Sequence, residues 1–229
     1  MVEVCIQLNE IVAGYPGHVV LDQAHMTVSQ GECVGLVGPN GIGKTTLFKV
    51  ILGLLRPVSG TVEVLGLPLT SAKRITTARR RLGYVPQQSS AGLLPISVYD
   101  SVLIGRWGSS FKGRRRPSRE DRQAVEKALD TVALSAYKDL DWRELSGGLQ
   151  QRTALARAVV REPDLILMDE PTTFLDPEAQ RGILDLVTQL NRRKGISFLI
   201  ITHDHELVSA HCARMLTIRD MRIEEVAHG

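Results

Sequence analysis

The length, composition and charge of the chain limit what it can be. Its 229 residues, 43% hydrophobic and 23% charged, can bury a sizeable core in one large domain, with room for a subdomain. The formal net charge of +3 is too small to argue for a nucleic-acid partner. No apolar run approaches the roughly 20 residues of a membrane-spanning helix. The N-terminus around Glu3 is unlike a signal peptide, so we expect a soluble protein of the cytosol.

The three cysteines carry no predicted function. Cys5, Cys33 and Cys212 are odd in number and lack the spacing of metal ligands. Their pattern therefore favours buried or idle thiols.

A glycine-rich motif lies between a predicted strand and a predicted helix. The apolar run Cys33–Val37 predicts the buried strand, and Thr45–Leu55 predicts a helix that stops before Pro57. The motif fits Gly-x-x-x-x-Gly-Lys-Ser/Thr, a loop whose backbone N–H groups wrap a polyphosphate at the positive N-terminus of a helix. It predicts a nucleoside triphosphate site at Gly38, Pro39, Asn40, Gly41, Gly43, Lys44, Thr45 and Thr46.

The middle of the chain differs from its two ends. Both ends alternate short apolar runs with helical patterns, which indicates a sheet with helices on its faces. From about Ser97 to Val160 no convincing buried strand is present, and a helix is predicted to open at Ser118, with Asp121 as its capping partner. One face of this helix carries Ala124, Val125, Ala128, Leu129 and Val132, so we expect a helical insertion.

Two later apolar runs predict central parallel strands, and each ends in polar residues. Leu165–Met168 is followed by Asp169 and Glu170, and Phe198–Ile201 leads to His203. In open α/β sheets ligands bind beyond the carboxyl ends of the strands, so these side chains should share one edge with the glycine-rich loop.

The carboxylates after the first of these strands suit phosphate chemistry. Asp169 would serve a magnesium ion that bridges phosphate oxygens, and Glu170 would polarise a water molecule. The structural alternative makes Asp169 a helix cap or a member of a salt bridge, and Glu170 a surface charge. The loop upstream favours the chemical interpretation.

Taken together, the motifs resemble those of the nucleotide-binding subunit of an ABC transporter, in the family's order. Gln87 in Tyr84-Val-Pro-Gln87 resembles the glutamine loop, and Leu145-Ser146-Gly147-Gly148 resembles the signature motif. Asp176 matches the D-loop, His203 the switch histidine and Tyr15 the aromatic residue that stacks on adenine.

Several of these residues have structural alternatives. Tyr15 could be a packed or surface tyrosine, since aromatic residues are general-purpose packing groups. Gln87 could be a turn residue, and Gln88 stands beside it. A metal cluster could be imagined around His203 from Asp204, His205, His211 and Cys212, but their spacing repeats no recognised ligand pattern.

The resemblance implies a two-copy mechanism. Ser146, Gly147 and Gly148 precede the helical pattern Gln150–Arg161 and would form a second anion-binding helix N-terminus. In the family two subunits pair head to tail, so that ATP on Lys44 of one copy is covered by Ser146 of the other.

The roles that the resemblance implies divide between binding and hydrolysis. Lys44 and the loop amides would hold the β and γ phosphates, while Thr45, Gln87 and Asp169 would serve magnesium. Glu170 would activate the attacking water. His203, together with Ser146 and Gly148 of the second copy, would stabilise the charge on the transferring phosphoryl group.

The sequence departs from the family's pattern at two positions. Leu149 follows the signature glycines where glutamine is usual, which would place an apolar side chain near the nucleotide of the other copy. Phe174 occupies a D-loop position where small residues are usual, and its bulk would face the seam between copies.

The resemblance also implies the architecture. We expect an α/β P-loop NTPase core, mainly a parallel sheet with flanking helices and an N-terminal antiparallel β part, with an inserted helical subdomain. The core would comprise residues 1–90 and 161–229, and the subdomain 91–160, within a single ABC ATPase domain.

The expected partners follow from the same family. They are a second copy of the chain, transmembrane permease subunits and, indirectly, an extracytoplasmic substrate-binding protein, at the cytoplasmic face of the membrane. Ile104-Gly105-Arg106 and the run Arg115–Arg122 look closest to importers of transition metals such as zinc or manganese. An iron-chelate importer, another ABC system, or a subunit that binds ATP but hydrolyses it weakly because of Leu149 are the alternatives.

A local basic run has two interpretations. Lys112, Arg114, Arg115 and Arg116 could form a solvated loop, or they could contact anionic headgroups or a cytoplasmic loop of the permease.

Overall fold

The computed structural model describes residues 3–87, 95–106 and 116–226. Most of the basic run, from Lys112 to Arg115, and Gln88 lie outside these ranges. The strands are β1 (Val4–Tyr15), β2 (His18–Ser29), β3 (Cys33–Val37), β4 (Ser59–Val64), β5 (Leu67–Pro68), β6 (Leu82–Val85), β7 (Leu165–Asp169), β8 (Ser197–Thr202), β9 (Arg214–Arg219) and β10 (Arg222–Val226). The α-helices are α1 (Lys44–Ile51), α2 (Ala72–Arg80), α3 (Val98–Ile104), α4 (Arg119–Thr131), α5 (Gly147–Val159), α6 (Pro177–Lys194) and α7 (His205–Ser209).

The strands form two sheets. The first is antiparallel, in the order β2-β1-β4-β5, and the second has the order β10-β9-β3-β8-β7-β6. In the second sheet β10 alone runs antiparallel to its neighbour, and the other described strands are parallel. The fold is therefore the expected mainly parallel α/β core with an antiparallel β part.

The parallel sheet is the middle layer because its strands are apolar on both faces. Along β7, Leu165 and Leu167 pack into a core beneath α1 and the antiparallel sheet. Ile166 and Met168 pack into a second core that includes residues of α3 to α6. A strand that is buried on both faces reads as a continuous apolar run, which is why β3, β7 and β8 were predictable.

The end of α1 corrects one prediction. The helix stops at Ile51, four residues before the expected Leu55. Gly53 takes a left-handed conformation with φ of 63°, and Leu54 and Leu55 both donate backbone hydrogen bonds to the carbonyl of Lys49. The glycine therefore ends the helix before Pro57 can do so.

The helical region between β6 and β7 shows the expected capping. Ser118 and Asp121 form a reciprocal capping box at the start of α4, whose face toward the core buries Val125, Ala128, Leu129 and Val132. Helix α5 begins at Gly147, three residues before the expected Gln150, because Ser146 caps it. Between Ser97 and Val160 the described residues contain one isolated β-bridge and no strand.

The three cysteines are buried thiols, as predicted. The Sγ atoms of Cys33 and Cys212 lie 3.5 Å apart, and this contact together with burial raises the pKa of Cys212 far above its usual range.

None of the described helices is long and apolar enough to cross a membrane.

Candidate nucleotide site

The glycine-rich loop connects β3 to α1 through backbone that only glycine adopts easily. Gly38, Gly41 and Gly43 have φ values of 145°, 87° and 112°. A Cβ atom on Gly43 would also lie 2.8 Å from Cγ1 of Val20. The loop therefore depends on glycine where it wraps before the helix, and the N-terminus of α1 follows it, a position that favours an anion.

Lys44 is held inside this loop. The side chain is buried, and Nζ donates hydrogen bonds to the carbonyls of Gly38 and Pro39 at 2.5 and 3.0 Å. Nζ also lies 3.9 Å from Oε1 of Glu170. Burial lowers the pKa of Lys44, while Glu170 and then Asp169 oppose that shift. A buried ammonium with neighbouring backbone amides suits a phosphate group.

A cavity of about 410 Å³ opens over the loop. This volume falls within the range of roughly 300–1,000 Å³ that is typical of small-ligand sites. The loop, the aromatic ring of Tyr15 and both carboxylates face the cavity, so it can hold a nucleotide. Its lining comprises Tyr15, His18, Val20, Asn40, Gly41, Gly43, Lys44, Thr45, Thr46, Gln87, Asp169, Glu170 and Ile201.

Asp169 and Glu170 form a buried pair of carboxylates at the end of β7. They are only 8% and 6% exposed. Burial, followed by the charge of Glu170, raises the pKa of Asp169. Two neighbouring carboxylates that face a phosphate loop are a donor set that a divalent cation fits, since its charge would offset their repulsion. Neither residue is the helix cap or surface charge of the structural alternative.

Phosphate oxygens and Thr45 would have to complete such a cation site. Over residues 3–87, 95–106 and 116–226, no group of three or more His, Cys, Asp or Glu side chains is arranged to hold a metal ion. The described part of the chain therefore contains no metal cluster around His203. Carboxylate oxygens of this kind would suit magnesium that arrives with a bound nucleotide.

Side chains from three other segments of the chain contact the carboxylate of Glu170: Lys44, described above, Gln87 and His203. Its Oε2 accepts hydrogen bonds from Nε2 of Gln87 at 3.2 Å and from Oγ1 of Thr173 at 2.9 Å. Nδ1 of His203 lies 3.1 Å from the same oxygen, although the histidine is 56% exposed. Because β6, β7 and β8 are parallel neighbours, residues that follow them reach one edge, as the sequence predicted.

Tyr15 lies at the rim of the cavity and is 44% exposed. Nζ of Lys49 donates a hydrogen bond to its hydroxyl at 3.0 Å and lies 5.3 Å from the ring centroid. This hydrogen bond lowers the pKa of Tyr15. The half-exposed ring lines the cavity, where it can stack on a flat base.

The signature residues and Asp176 do not join this cavity. Ser146 caps α5 by accepting a hydrogen bond from the backbone N–H of Leu149 at 3.5 Å, and Asp176 caps α6 through Ala179 at 2.9 Å. Ser146 and Gly147 are exposed, and none of the four predicted residues lines the cavity described above. They form a separate surface on the same chain.

The two unusual residues point in different directions. Leu149 is partly buried and packs on the core beneath α5. Phe174 is 81% exposed and its backbone is left-handed, with φ of 66°.

Sequence reasoning missed two residues that touch the carboxylates. Tyr84 donates a hydrogen bond to Oδ2 of Asp169 at 3.4 Å, and burial raises the pKa of this tyrosine to about 12. Thr173 bonds to Glu170. The signal for Tyr84 was its place in the short strand before Gln87, while Thr173 gave none beyond its nearness to Glu170.

The glycine-rich loop, the buried lysine and the carboxylates at the end of a parallel strand define a P-loop nucleotide-binding protein. Residues 21–173 match the ABC transporter family, which is more than half of the chain. The chain belongs to that family.

Relatives within the family serve different transport systems. The manganese transport system ATP-binding protein MntA of Synechocystis is 40% identical over 193 residues, which span 84% of this chain and 72% of that protein. The zinc transport system ATP-binding protein TroB of Treponema pallidum is 36% identical over 97% of this chain and 81% of its own length. The Nod factor export ATP-binding protein I of Sinorhizobium fredii is also 36% identical, over 96% of this chain and 62% of its own length.

Solved structures match nearly the whole chain. The protein cbiO1 of Clostridium perfringens, part of the ABC transporter complex cbiONQ, has a TM-score of 0.88 at 31% identity, covering 97% of this chain and 87% of that one. A dimeric ATP-binding cassette in a post-hydrolysis state, bound to ADP and Pi, has a TM-score of 0.80 at 26% identity, with 98% and 100% coverage.

Proposed function

We propose that the chain binds and hydrolyses ATP as a head-to-tail pair and powers import through a membrane permease. The observation that carries this proposal is the convergence on Glu170. Lys44, Gln87 and His203 come from three other segments and all reach its carboxylate. Such an arrangement serves a water molecule attacking a phosphate held on the loop.

Binding would begin with exchange of hydrogen bonds at Lys44. Its ammonium now bonds to two loop carbonyls and lies near Glu170, and the β and γ phosphates would take over these contacts. Tyr15 would stack on the adenine. Thr45, Gln87 and Asp169 would hold magnesium, which when bound supplies positive charge to the phosphate oxygens.

Hydrolysis would then depend on residues that already surround the expected water. Glu170 would accept a proton from it or orient it, and Gln87 and Thr173 keep its carboxylate in place. His203 is partly exposed and would donate to the γ-phosphate as charge develops there. Positioning and charge stabilisation are the main sources of catalysis in phosphoryl transfer.

A second copy would complete the site. Ser146 and Gly148 lie at the N-terminus of α5, a 13-residue helix whose first turn carries partial positive charge. Their separation from the cavity of their own chain supports the pairing in which they cover ATP on another copy. Asp176 would lie at the same interface.

A groove beside Tyr84 is the surface we propose for the permease. It has a volume of about 330 Å³ and a floor of small residues, Gly83, Gly105, Ala154 and Ala158. Arg79, Arg157 and Arg161 line it. Nε of Arg161 is buried without a hydrogen-bond partner, and burial lowers the pKa of Arg157. An acidic cytoplasmic segment of a permease fits this shape and charge.

Charge reversal tests the groove. Arg157→Glu should abolish copurification with the permease from membranes while ATP binding by the purified subunit stays unchanged. Lys127→Glu, a reversal at an exposed cation paired with Glu162, is the control. Copurification of the Arg157→Glu protein at the wild-type level would exclude this groove.

Transition metals such as manganese or zinc are the proposed cargo, which the relatives named for those metals support. An extracytoplasmic binding protein would select the ion. Uptake of radioactive manganese and zinc by cells with and without the gene tests this. Another relative is named for Nod factor export, so export of a different cargo is the alternative.

The first experiment on the proposed ATPase compares wild type with Glu170→Gln. Magnesium-dependent ATP hydrolysis should fall by about 10²–10⁴-fold, and light scattering should detect an ATP-bound dimer of the variant. Glu162→Gln, which removes an exposed carboxylate, is the matched control and should hydrolyse ATP normally. Hydrolysis that survives in Glu170→Gln would refute the proposed role, and an inactive, monomeric wild type would favour weak hydrolysis without the permease.

A further inference from the structure

A second cavity, of about 550 Å³, lies between three helices and is called the three-helix cleft below. Its walls come from the end of α4 and the turn after it, from α5, and from α6 between Gly182 and Lys194. Leu186 and Leu190 line it and are buried, so the cleft has an apolar floor. It shares no lining residue with the nucleotide cavity. A volume of this size suits a small molecule, and the cleft is therefore a separate candidate site.

Three cations line the three-helix cleft: Arg152, Arg193 and Lys194. Asp130 and Asp185 also line it, so the cations outnumber the carboxylates. Within the described ranges of the chain, none of the three cations forms an ion pair with a carboxylate. Cations that face a concave surface without carboxylate partners attract an anion.

The guanidinium of Arg152 is held in place within the cleft. Its Nη1 donates a hydrogen bond to the carbonyl of Val132 at 3.3 Å, just after α4. On α6, Gly182 leaves room for the other nitrogen, since a Cβ atom there would lie 3.0 Å from Nη2. An arginine carries five N–H donors in a planar fork that matches the oxygens of phosphate, and the bond to Val132 uses one of them.

Lys194 reaches the cleft from the last turn of α6. Its Nζ donates a hydrogen bond to Oγ1 of Thr131 at 3.3 Å, so its hydrogen-bond partner is a neutral hydroxyl. Burial, followed by the charge of Lys127, lowers the pKa of Lys194, while Glu162 opposes that shift. An anion in the cleft would favour the charged ammonium and so offset both effects.

We propose that the three-helix cleft binds a phosphorylated small molecule whose phosphate oxygens contact Arg152, Arg193 and Lys194. A phosphate group presents oxygens in several directions, so it can accept charge-assisted hydrogen bonds from two helices at once. The apolar floor would take an organic part of the ligand. Because Arg152 belongs to α5 and the other two cations belong to α6, the bound phosphate ties these helices together. This inference does not depend on hydrolysis of ATP by the chain.

Calorimetric titration with pyrophosphate tests the site. The nucleotide cavity is first saturated with magnesium and an ATP analogue that is not hydrolysed, so that the glycine-rich loop is occupied. Wild type should still bind pyrophosphate, and Arg193→Gln combined with Lys194→Gln should raise the dissociation constant by about tenfold or more. Arg181→Gln combined with Arg192→Gln is the matched control, because it removes two exposed cations of α6 that do not line the cleft.

The control pair should bind pyrophosphate as wild type does. All four replaced residues are exposed, so the melting temperatures of both double variants should match that of wild type. Absence of pyrophosphate binding to wild type with its loop occupied overturns the proposal, as does an equal affinity of the two double variants. Citrate should bind about tenfold more weakly than pyrophosphate, and equal or tighter binding of citrate would overturn the assignment to phosphate.

Hydrogen exchange tests the tie between the helices. At pyrophosphate concentrations ten times its dissociation constant, amide exchange at the end of α4, in α5 beside Arg152 and in the last turns of α6 should slow by about tenfold. The Arg193→Gln and Lys194→Gln double variant should show no such protection at the same concentration. Unchanged exchange in wild type with bound pyrophosphate would refute the tie.

Discussion

Two regions of the molecule differ in how many contacts within the chain hold their predicted site residues in place. One is the sheet edge at the phosphate loop, and the other is the surface at the starts of α5 and α6, called the second surface below. At the loop edge, Lys44 and Asp169 are buried, and Gln87 and His203 from other segments contact the carboxylate of Glu170. On the second surface, Ser146 and Asp176 satisfy only the ends of their own helices. The nucleotide site is thus preorganised within one chain, whereas under the proposed pairing the second surface would become part of a site only through another copy.

The largest expected effect comes from the buried ammonium at the loop edge. Lys44→Met should weaken ATP binding by about 10²-fold or more, because the loop would lose the charge that faces the phosphates. Lys49→Met is the matched control on the same helix. Its ammonium contacts Tyr15 at the exposed rim, so its loss should cost less than about threefold.

Calorimetric titration with an ATP analogue that is not hydrolysed would measure both affinities. Equal losses in the two variants would mean that overall positive charge, and not the position of Lys44 within the loop, determines binding.

Asp169→Asn should separate stability from function at the same edge. Activity should fall about 10²-fold, and the dependence of nucleotide binding on magnesium should disappear. The nucleotide-free variant should nevertheless be more stable at pH 7, by about 1 kcal/mol, because a buried, weakly partnered carboxylate has been removed.

The pH dependence follows from the raised pKa of Asp169. The folded protein holds this proton more tightly than the unfolded chain, so the contribution of Asp169 to stability declines as pH rises from the ordinary pKa of 3.8 through the raised one. The stability gain of Asp169→Asn should therefore vanish below that window. Asp164→Asn is the control of opposite sign, since Asp164 pairs with Arg81 at 2.6 Å and its neutralisation should slightly destabilise the fold. Denaturant unfolding at pH 3 and 7 measures both, and an Asp169→Asn protein that is less stable than wild type at pH 7 would contradict this prediction.

On the second surface, loss of the Ser146 hydroxyl should lower both stability and ATP hydrolysis, but not ATP binding to the monomer. Ser146→Ala and Ser118→Ala each remove a helix N-cap, so each should cost about 1 kcal/mol of stability. Only Ser146→Ala should lower ATP hydrolysis, by about tenfold, without changing ATP binding to the monomer. Steady-state kinetics at saturating ATP would measure this, and equal activities would place Ser146 outside the catalytic assembly.

Local patterns made much of the fold predictable. The apolar runs of β3 and β7 and the capping box at Ser118 depend on short stretches of chain, and they appear where the sequence placed them. The early end of α1 depends on the left-handed conformation of Gly53. The sequence does not predict this conformation, because a helix can also continue through a single glycine.

The site was predictable only where a motif fixes the geometry. The order of parallel strands brought Glu170 and His203 together as expected, and Gln87, which the sequence offered only through the family resemblance, contacts the same carboxylate. The contact of Tyr84 with Asp169 depends on how β6 pairs beside β7, which no local pattern encodes. The direction of Leu149 likewise depends on packing beneath α5.

The smallest effect is expected at Leu149, which lies beside the second surface but packs away from it. Leu149→Gln should cost about 1 kcal/mol of stability through lost packing, and ATP hydrolysis should stay within about threefold of wild type, because the side chain rests on the core of its own chain. Leu149→Ala is the control that removes packing without adding a polar group. If Leu149→Gln hydrolyses ATP tenfold faster while Leu149→Ala does not, the amide must reach the nucleotide of the second copy. Position 149, in the first turn of α5, would then belong to the second surface and not to the core of its own chain.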